Sequence, residues 1–392
     1  MSGPRPDAAV LHPGKDKPVR NRHPWIFSGA IRSLPEFENG GILPVLAADG
    51  EFLGHAYFNR KTSIAGRMLN FDRTPPLETV AAKIDAALAL RRRFFGSETT
   101  ARRLINGEGD GLPGLVADIY GDALVLQIST LGMDRLKPFV LDRLTKRLAP
   151  RFVYEKSHLP TRREEGLPMF DGPLQGEAAG PVEVLENGLR FRVDIVHGQK
   201  TGFYLDQREM RAFARGLAAG RRVLNAFAYT GGFSAYSFAG GAVSVDSVEA
   251  SDQAIALARE NCALNGFGDR PGRFLAADVF EFIRAEPLAY DLVVLDPPAF
   301  AKKKTEVIGA CRGYKDIHRI VFQKVPAGCL VLTFSCSFFV DEDLFRQVLF
   351  QAAREASRGI RILQRHHQAF DHPLNIYHPE SDYLKGFLLE VE

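Results

Sequence analysis

Leu330-Val-Leu-Thr-Phe-Ser-Cys-Ser337 reads as an apolar strand that ends in a small polar turn, and the turn presents one thiol, Cys336. Upstream, Asp291-Leu-Val-Val-Leu-Asp-Pro-Pro-Ala-Phe300 is a second apolar strand, running into Asp-Pro-Pro. Further upstream, Arg222-Val-Leu-Asn-Ala-Phe-Ala-Tyr-Thr-Gly-Gly-Phe-Ser234 is a third strand that opens into a Gly-Gly turn. Three strand-then-loop units in this order predict the carboxyl edge of an open parallel sheet, where such folds place cofactor and substrate. From about Asp206 onward helices and strands alternate, with helices expected at Gln207–Ala218, Ser234–Ala239, Gln253–Asn265, Val279–Glu286, Tyr314–Lys324 and Asp341–Arg358. A terminal β pair follows the last of them. The pattern predicts an α/β domain with helices on both faces of the sheet.

Working outward, the stretch to about Arg73 carries short alternating runs broken by Gly, Pro and Asn, which predicts a small β barrel or sheet. Leu77–Phe95 and Leu131–Leu148 have apolar residues at helical spacing, and two strands flank Tyr120-Gly-Asp122. Asp171–Val184 is rich in Gly and Pro and reads as a linker or loop, followed by a hairpin around Glu186-Asn-Gly188. Three domains are expected: 1–73, a central α+β domain at 74–182, and the α/β domain at 183–392. At 392 residues, 45% hydrophobic and 25% charged, the chain has the composition of an ordinary globular protein. The absence of a long apolar run or a signal-peptide core makes the cytoplasm the expected location. Four cysteines without a CxxC pair predict neither a disulfide framework nor a zinc site, so no metal is expected. The net charge of +3 is uninformative, but basic clusters occur at His12–His23, Arg91–Arg93, Arg102–Arg103 and Lys302–Lys304.

The turn after the first α/β strand, Ala228-Tyr-Thr-Gly-Gly-Phe233, lacks the G-x-G-x-x-G dinucleotide fingerprint. Its paired glycines still let backbone approach a ligand closely. The second strand ends near Glu249, where a carboxylate accepts from a ribose diol; Asp246 fits a second register. Asp278, after the next strand, offers an acceptor for an adenine amino group. Gly-turn, acid, acid and Asp-Pro-Pro in this order resemble class I S-adenosylmethionine-dependent methyltransferases. The alternative for any one element is a plain turn or a helix-capping acid.

In such enzymes Asp-Pro-Pro faces the base being modified. Asp296 would hydrogen-bond it, Pro297 keeps the chain extended, and Phe300 would stack on it. Cys336 selects the chemistry. Pyrimidine C5 is too weakly nucleophilic to take a sulfonium methyl directly, but thiolate addition at C6 makes C5 enamine-like. A thiol with a pKa of about 8.5 is only a few per cent ionised at pH 7, so nearby positive charge is expected, with Lys302–Lys304 as candidates. Cys262, Cys311 and Cys329 read as small buried residues.

His12–Ile31, Asn106–Asp118, Gln199–Arg208, Leu224–Ser234, Leu295–Phe300, Ala310–Ile317, Leu332–Ser337 and the closing Asp371-His-Pro with Tyr383–Phe387 closely resemble the bacterial ribosomal RNA large subunit methyltransferase I family. The resemblance covers nearly the whole chain. It implies an RNA-binding PUA domain, a central β-rich domain, and a Rossmann-like domain forming 5-methylcytosine in 23S rRNA from S-adenosyl-L-methionine. It also implies Cys336 as nucleophile and Asp296 at the base, with Pro297, Phe300 and Lys302 beside the substrate. Asn225, Phe227, Gly231, Glu249 and Asp278 would line the cofactor site, under a lid of Tyr204, Asp206 and Gln207. Other cytosine-C5 RNA methyltransferases carry a second cysteine directly after the Asp-Pro-Pro-type motif, where this chain has Ala299. Two other readings stand beside this one: a guanine N-methyltransferase needing no thiol, and a non-catalytic RNA-binding assembly factor. The expected partner is 23S rRNA or a large-subunit precursor, and a homodimer is left open.

Overall fold

The computed structural model describes residues 7–177, 180–301 and 303–392. It divides into two compact units. The first takes residues up to Val184 with Val193–Leu205 and Phe370–Ser381; the second takes Leu185–Arg192, Asp206–Ala369 and Asp382–Glu392. No helix among the described residues is long and apolar enough to cross a membrane.

In the first unit a six-stranded sheet runs in the order Trp25–Phe27, Ile64–Asn70, Phe52–Phe58, Ile42–Leu46, Ala9–Leu11, Ile31–Ser33. A second sheet runs Phe170–Gln175, Phe152–Ser157, Ala123–Ile128, Leu115–Tyr120, Ala101–Asn106. Helices Pro76–Arg92 and Leu131–Leu148 send Val80, Ile84, Leu88, Met133, Leu136, Val140 and Leu144 into the core of that second sheet. Tyr57, from the first sheet, belongs to the same core and reaches Thr130 Oγ1 and Pro113 O at 3.0 and 2.9 Å. The expected loop at Asp171–Val184 is corrected in part, because Phe170–Gln175 pairs with Phe152–Ser157. Its position at the sheet edge explains this: Pro173, which has no N–H to give a ladder, is tolerated on an edge strand.

The strands of the second unit are numbered β1 (Arg222–Ala226), β2 (Ser244–Glu249), β3 (Phe274–Ala276), β4 (Leu292–Leu295), β5 (Leu330–Ser335), β6 (Ile360–His366) and β7 (Lys385–Val391). They form one sheet in the order β3-β2-β1-β4-β5-β7-β6. Strands β3 to β5 are mutually parallel, and β7 runs antiparallel to both neighbours. Successive residues go to opposite faces: Val293, Leu295 and Val331 join one core, while Val294, Leu332 and Phe334 join the other. Burial on both faces is why these strands read as continuous apolar runs and not as alternating ones.

Helices α1 (Arg208–Leu217), α2 (Gly232–Ala239), α3 (Asp252–Leu264), α4 (Val279–Ala285), α5 (Val307–Lys324) and α6 (Glu342–Ala356) supply the covering layers. Helix α5 begins well before the expected Tyr314, since Gly309 and Gly313 weaken the helical signal in the sequence. A Cβ at Gly313 would meet the Phe300 ring at 3.4 Å, an ordinary van der Waals contact, so packing does not require the glycine. The hairpin turn Asn187-Gly188 has φ of 49° and 79°, the pair of left-handed residues that a tight two-residue turn needs. Just before it, buried Glu186 takes two 2.7 Å hydrogen bonds from Arg211, with Arg208 Nε at 3.5 Å. This buried cluster anchors α1, and with it Asp206 and Gln207 at its entrance. Breaking such a pair typically costs about 3–5 kcal/mol.

Candidate active site

Strand register sets the site. Ala226 lies beside Val248 on one side and Leu295 on the other, and Leu295 lies beside Thr333. Phe227, Glu249, Asp296 and Cys336 therefore all sit at the carboxyl ends of adjacent parallel strands. Asp246 does not: it lies inside β2, where it takes hydrogen bonds from the Arg273 backbone and guanidinium and from Tyr290. Glu249 instead accepts from the backbone N–H of Tyr229 at 2.9 Å and of Ser251 at 3.1 Å. Its carboxylate thereby joins the glycine turn to the start of α3.

That turn is strained. Phe227 and Tyr229 have φ of 61° and 45°, a region non-glycine residues seldom occupy. Such conformations cost about 1–3 kcal/mol each and cluster at ligand-binding sites. Gly231, at φ 77°, is required for space as well, since a Cβ would come 2.8 Å from Ala258 Cβ on α3. Asn225 donates to Ser234 Oγ at 2.8 Å, yet its Oδ1 is buried without a hydrogen-bond partner. Thr230 Oγ1 and Gln207 Oε1 are in the same condition. The Gln207 amide donates to Asp296 Oδ1 at 2.9 Å, which fixes one oxygen of the Asp-Pro-Pro carboxylate.

The Cys336 turn is held from behind. The Tyr314 hydroxyl lies 3.1 Å from Ser335 Oγ and 3.0 Å from Ser337 Oγ, bridging both serines that flank the thiol. Ser337 Oγ also accepts from Ala301 N–H at 3.3 Å, tying this turn to the Asp-Pro-Pro loop. One helical turn after Tyr314, burial pushes the His318 imidazole down to about 4, so the ring is neutral. Its Nδ1 faces Tyr314 O at 2.6 Å and therefore carries the proton, leaving Nε2 to accept from Thr333 on β5. No sequence pattern exposed Tyr314 or His318 as supports. Cys262 and Cys329 are pushed up to about 12 by burial, and Cys311 is raised by the same cause, so these three thiols are poor nucleophiles.

Residues 170–374 match the S-adenosylmethionine-dependent methyltransferase family model, and residues 9–71 match a PUA-like domain. Ribosomal RNA large subunit methyltransferase I of Shewanella denitrificans is 40% identical over 390 residues, covering 97% of this chain and 98% of its own. The protein of the same name from Alteromonas mediterranea is 40% identical over 389 residues, covering 97% and 98%. This chain belongs to the ribosomal RNA large subunit methyltransferase I family. In fold it resembles SMU.776, assigned as a methyltransferase and solved with SAH, at a TM-score of 0.84 and 23% identity, covering 97% of this chain and 99% of that one.

The cofactor of a methyltransferase I family member is S-adenosylmethionine, and the carboxyl edge fits it. The cofactor presents an ammonium, a ribose diol and an adenine amine, all donors, and this edge is rich in acceptors: Glu249, Asn225 Oδ1 and Gln207 Oε1. Asp206 Oδ2 already accepts from Tyr383. Asp278 caps α4 through Glu281 N–H at 3.0 Å, so one of its oxygens serves the helix. Tyr204 falls in the first unit, where its hydroxyl donates to Gln199 at 2.6 Å and Lys200 Nζ lies 4.3 Å from its ring centroid. Phe300, expected to stack on the base, is half-buried with its ring 4.6 Å from that of Tyr314 and 5.9 Å from that of Phe280. The exposed aromatic rings beside the thiol are Phe338 and Phe339. Pro297 is buried at the start of the loop, and Lys302 lies outside the described residues.

The N-terminal basic cluster also changes on folding. Arg20 is neutralised, its guanidinium 2.5 Å from both Asp16 and Glu51. Lys15, Lys17 and Arg22 are exposed and form no ion pair among the described residues. Trp25 is partly buried, donating to Glu108 at 2.9 Å with its ring 4.3 Å from that of His378, whereas Phe27 is 49% exposed. His23, His378 and Glu380 bring ligand-type atoms within 4.8 Å of one another. His23 Nδ1 accepts from Trp25 N–H, so in the neutral ring the proton sits on Nε2, 3.5 Å from Glu380. His378 Nε2 lies 3.7 Å from the same carboxylate, so two histidines face one glutamate.

Proposed function

We propose that this methyltransferase converts a cytosine of 23S ribosomal RNA to 5-methylcytosine through a covalent Cys336 adduct. The observation that carries this reading is the Cys336 turn, tied through Tyr314 and Ala301 to the Asp-Pro-Pro loop on the acceptor-rich edge. S-adenosylmethionine supplies the electrophilic methyl group. The Cys336 thiolate adds to C6, opening the C5–C6 double bond and making C5 the nucleophile. After C5 takes the methyl, loss of its proton to a base expels the thiolate and restores the double bond. Asp296, oriented by Gln207, hydrogen-bonds the base, with Pro297 and the exposed Phe338 and Phe339 at its margins. Asn225, Phe227, Gly231, Glu249 and Asp278 hold the cofactor, with Asp206 and Gln207 as its cover. Nucleoside analysis of 23S rRNA labelled from methyl-labelled cofactor tests the reaction. 5-Methylcytidine is expected; an N-methylguanosine, 5-methyluridine or no product would overturn it.

RNA capture is assigned to the PUA-like module, through Lys15, Lys17 and Arg22 with Phe27 as a stacking surface. Each phosphate contact contributes roughly 0.7–0.9 to the slope of log affinity against log salt. Neutralising those three residues should flatten the slope by about two to three units, measured by filter binding across salt. Arg20→Gln should leave it unchanged, because its charge is already met by Asp16 and Glu51. An unaltered slope in the folded triple variant would move RNA capture elsewhere.

A further inference from the structure

Lys385 opens β7 and pairs across the antiparallel ladder with Ser335, the last residue of β5, so its backbone lies beside the turn that presents Cys336. Its side chain is buried, with 4% of the residue exposed. Nζ donates to Ser337 O at 2.8 Å and to Tyr383 O at 2.7 Å, so the ammonium extends past the thiol's residue to the carbonyl that follows it. No carboxylate among the described residues forms a salt bridge with it. A buried ammonium held only by carbonyls is costly, and such charges are normally paired. Burial lowers its pKa; Cys336 leads the neighbours that raise it, ahead of Asp382 and Asp341. In the basic run after the Asp-Pro-Pro loop, Lys303 and Lys304 are exposed, where solvent weakens their field.

We infer that Lys385 is a positioning residue whose buried ammonium is the counter-ion of the Cys336 thiolate. Ionisation of Cys336 releases its proton to solvent and gives the ammonium its missing anionic partner. The two carbonyl hydrogen bonds keep the ammonium in place before the thiol ionises, so little reorganisation is needed. The inference rests on Cys336 as the nucleophile, but its test does not use methyl transfer.

In the full-length protein, the rate of Cys336 alkylation by iodoacetamide is measured against pH, with the modified peptide identified by mass spectrometry. Lys385→Met should move the inflection at least one unit upward, about a tenfold loss of thiolate at pH 7. Lys385→Arg, which keeps the charge, should stay near wild type. A wild-type inflection in a folded Met variant would overturn the proposal. Should that variant fail to fold, Lys385→Gln, which keeps an N–H donor without charge, decides it by the same two outcomes. Methylation surviving in Cys336→Ala would instead remove the nucleophile assignment, while any Lys385-dependent shift stayed measurable.

Discussion

Cys336→Ala is expected to reduce methyl transfer to rRNA below about a thousandth of the wild-type rate while leaving S-adenosylmethionine affinity within a few-fold. In the proposed mechanism the thiol acts on the base, whereas the proposed cofactor acceptors come from the ends of β1 and β2 and the entrance of α1. Fold should survive the change, because Ser335 and Ser337, not Cys336, make the hydrogen bonds to Tyr314 that shape the turn. Single-turnover incorporation of labelled methyl and calorimetric cofactor titration measure the two quantities separately. Retained turnover in this variant would end the covalent mechanism. Lost cofactor affinity would mean that the thiol shapes the cofactor site as well.

Glu249→Ala should weaken S-adenosylmethionine binding by roughly one to two decades, the loss of a charge-assisted hydrogen bond worth about 1.5–3 kcal/mol. The same carboxylate holds Tyr229 N–H, so the variant also loosens the strained turn and pushes the effect in the same direction. Asp246→Ala serves as the comparison. It should lower stability by releasing Arg273 and Tyr290, with cofactor affinity unchanged, because Asp246 lies inside the strand. Calorimetry showing the reverse pattern would make Asp246 the ribose acceptor.

Much of the second unit was legible in the sequence. Strands β1, β4 and β5 are apolar runs because both faces are buried, and each is followed by the polar or glycine-bearing turn that a carboxyl edge needs. Helix positions followed from periodicity except in α5, where Gly309 and Gly313 hid the first turns. Phe170–Gln175 was missed because its Gly and Pro read as loop, although an edge strand accommodates them.

Sequence alone determined the two-faced parallel sheet and the order of motifs along its edge, because these depend on local periodicity and turn chemistry. Tertiary structure alone decided which groups meet. Antiparallel pairing of β5 with β7 carries Lys385 to the Cys336 turn, and α5 carries Tyr314 to the two serines flanking the thiol. Folding also set Glu249 at the edge with Asp246 inside the strand, and it cancelled Arg20 against Asp16 and Glu51. The physical reason is that burial and charge pairing are properties of neighbours in space, which distant segments of the chain supply.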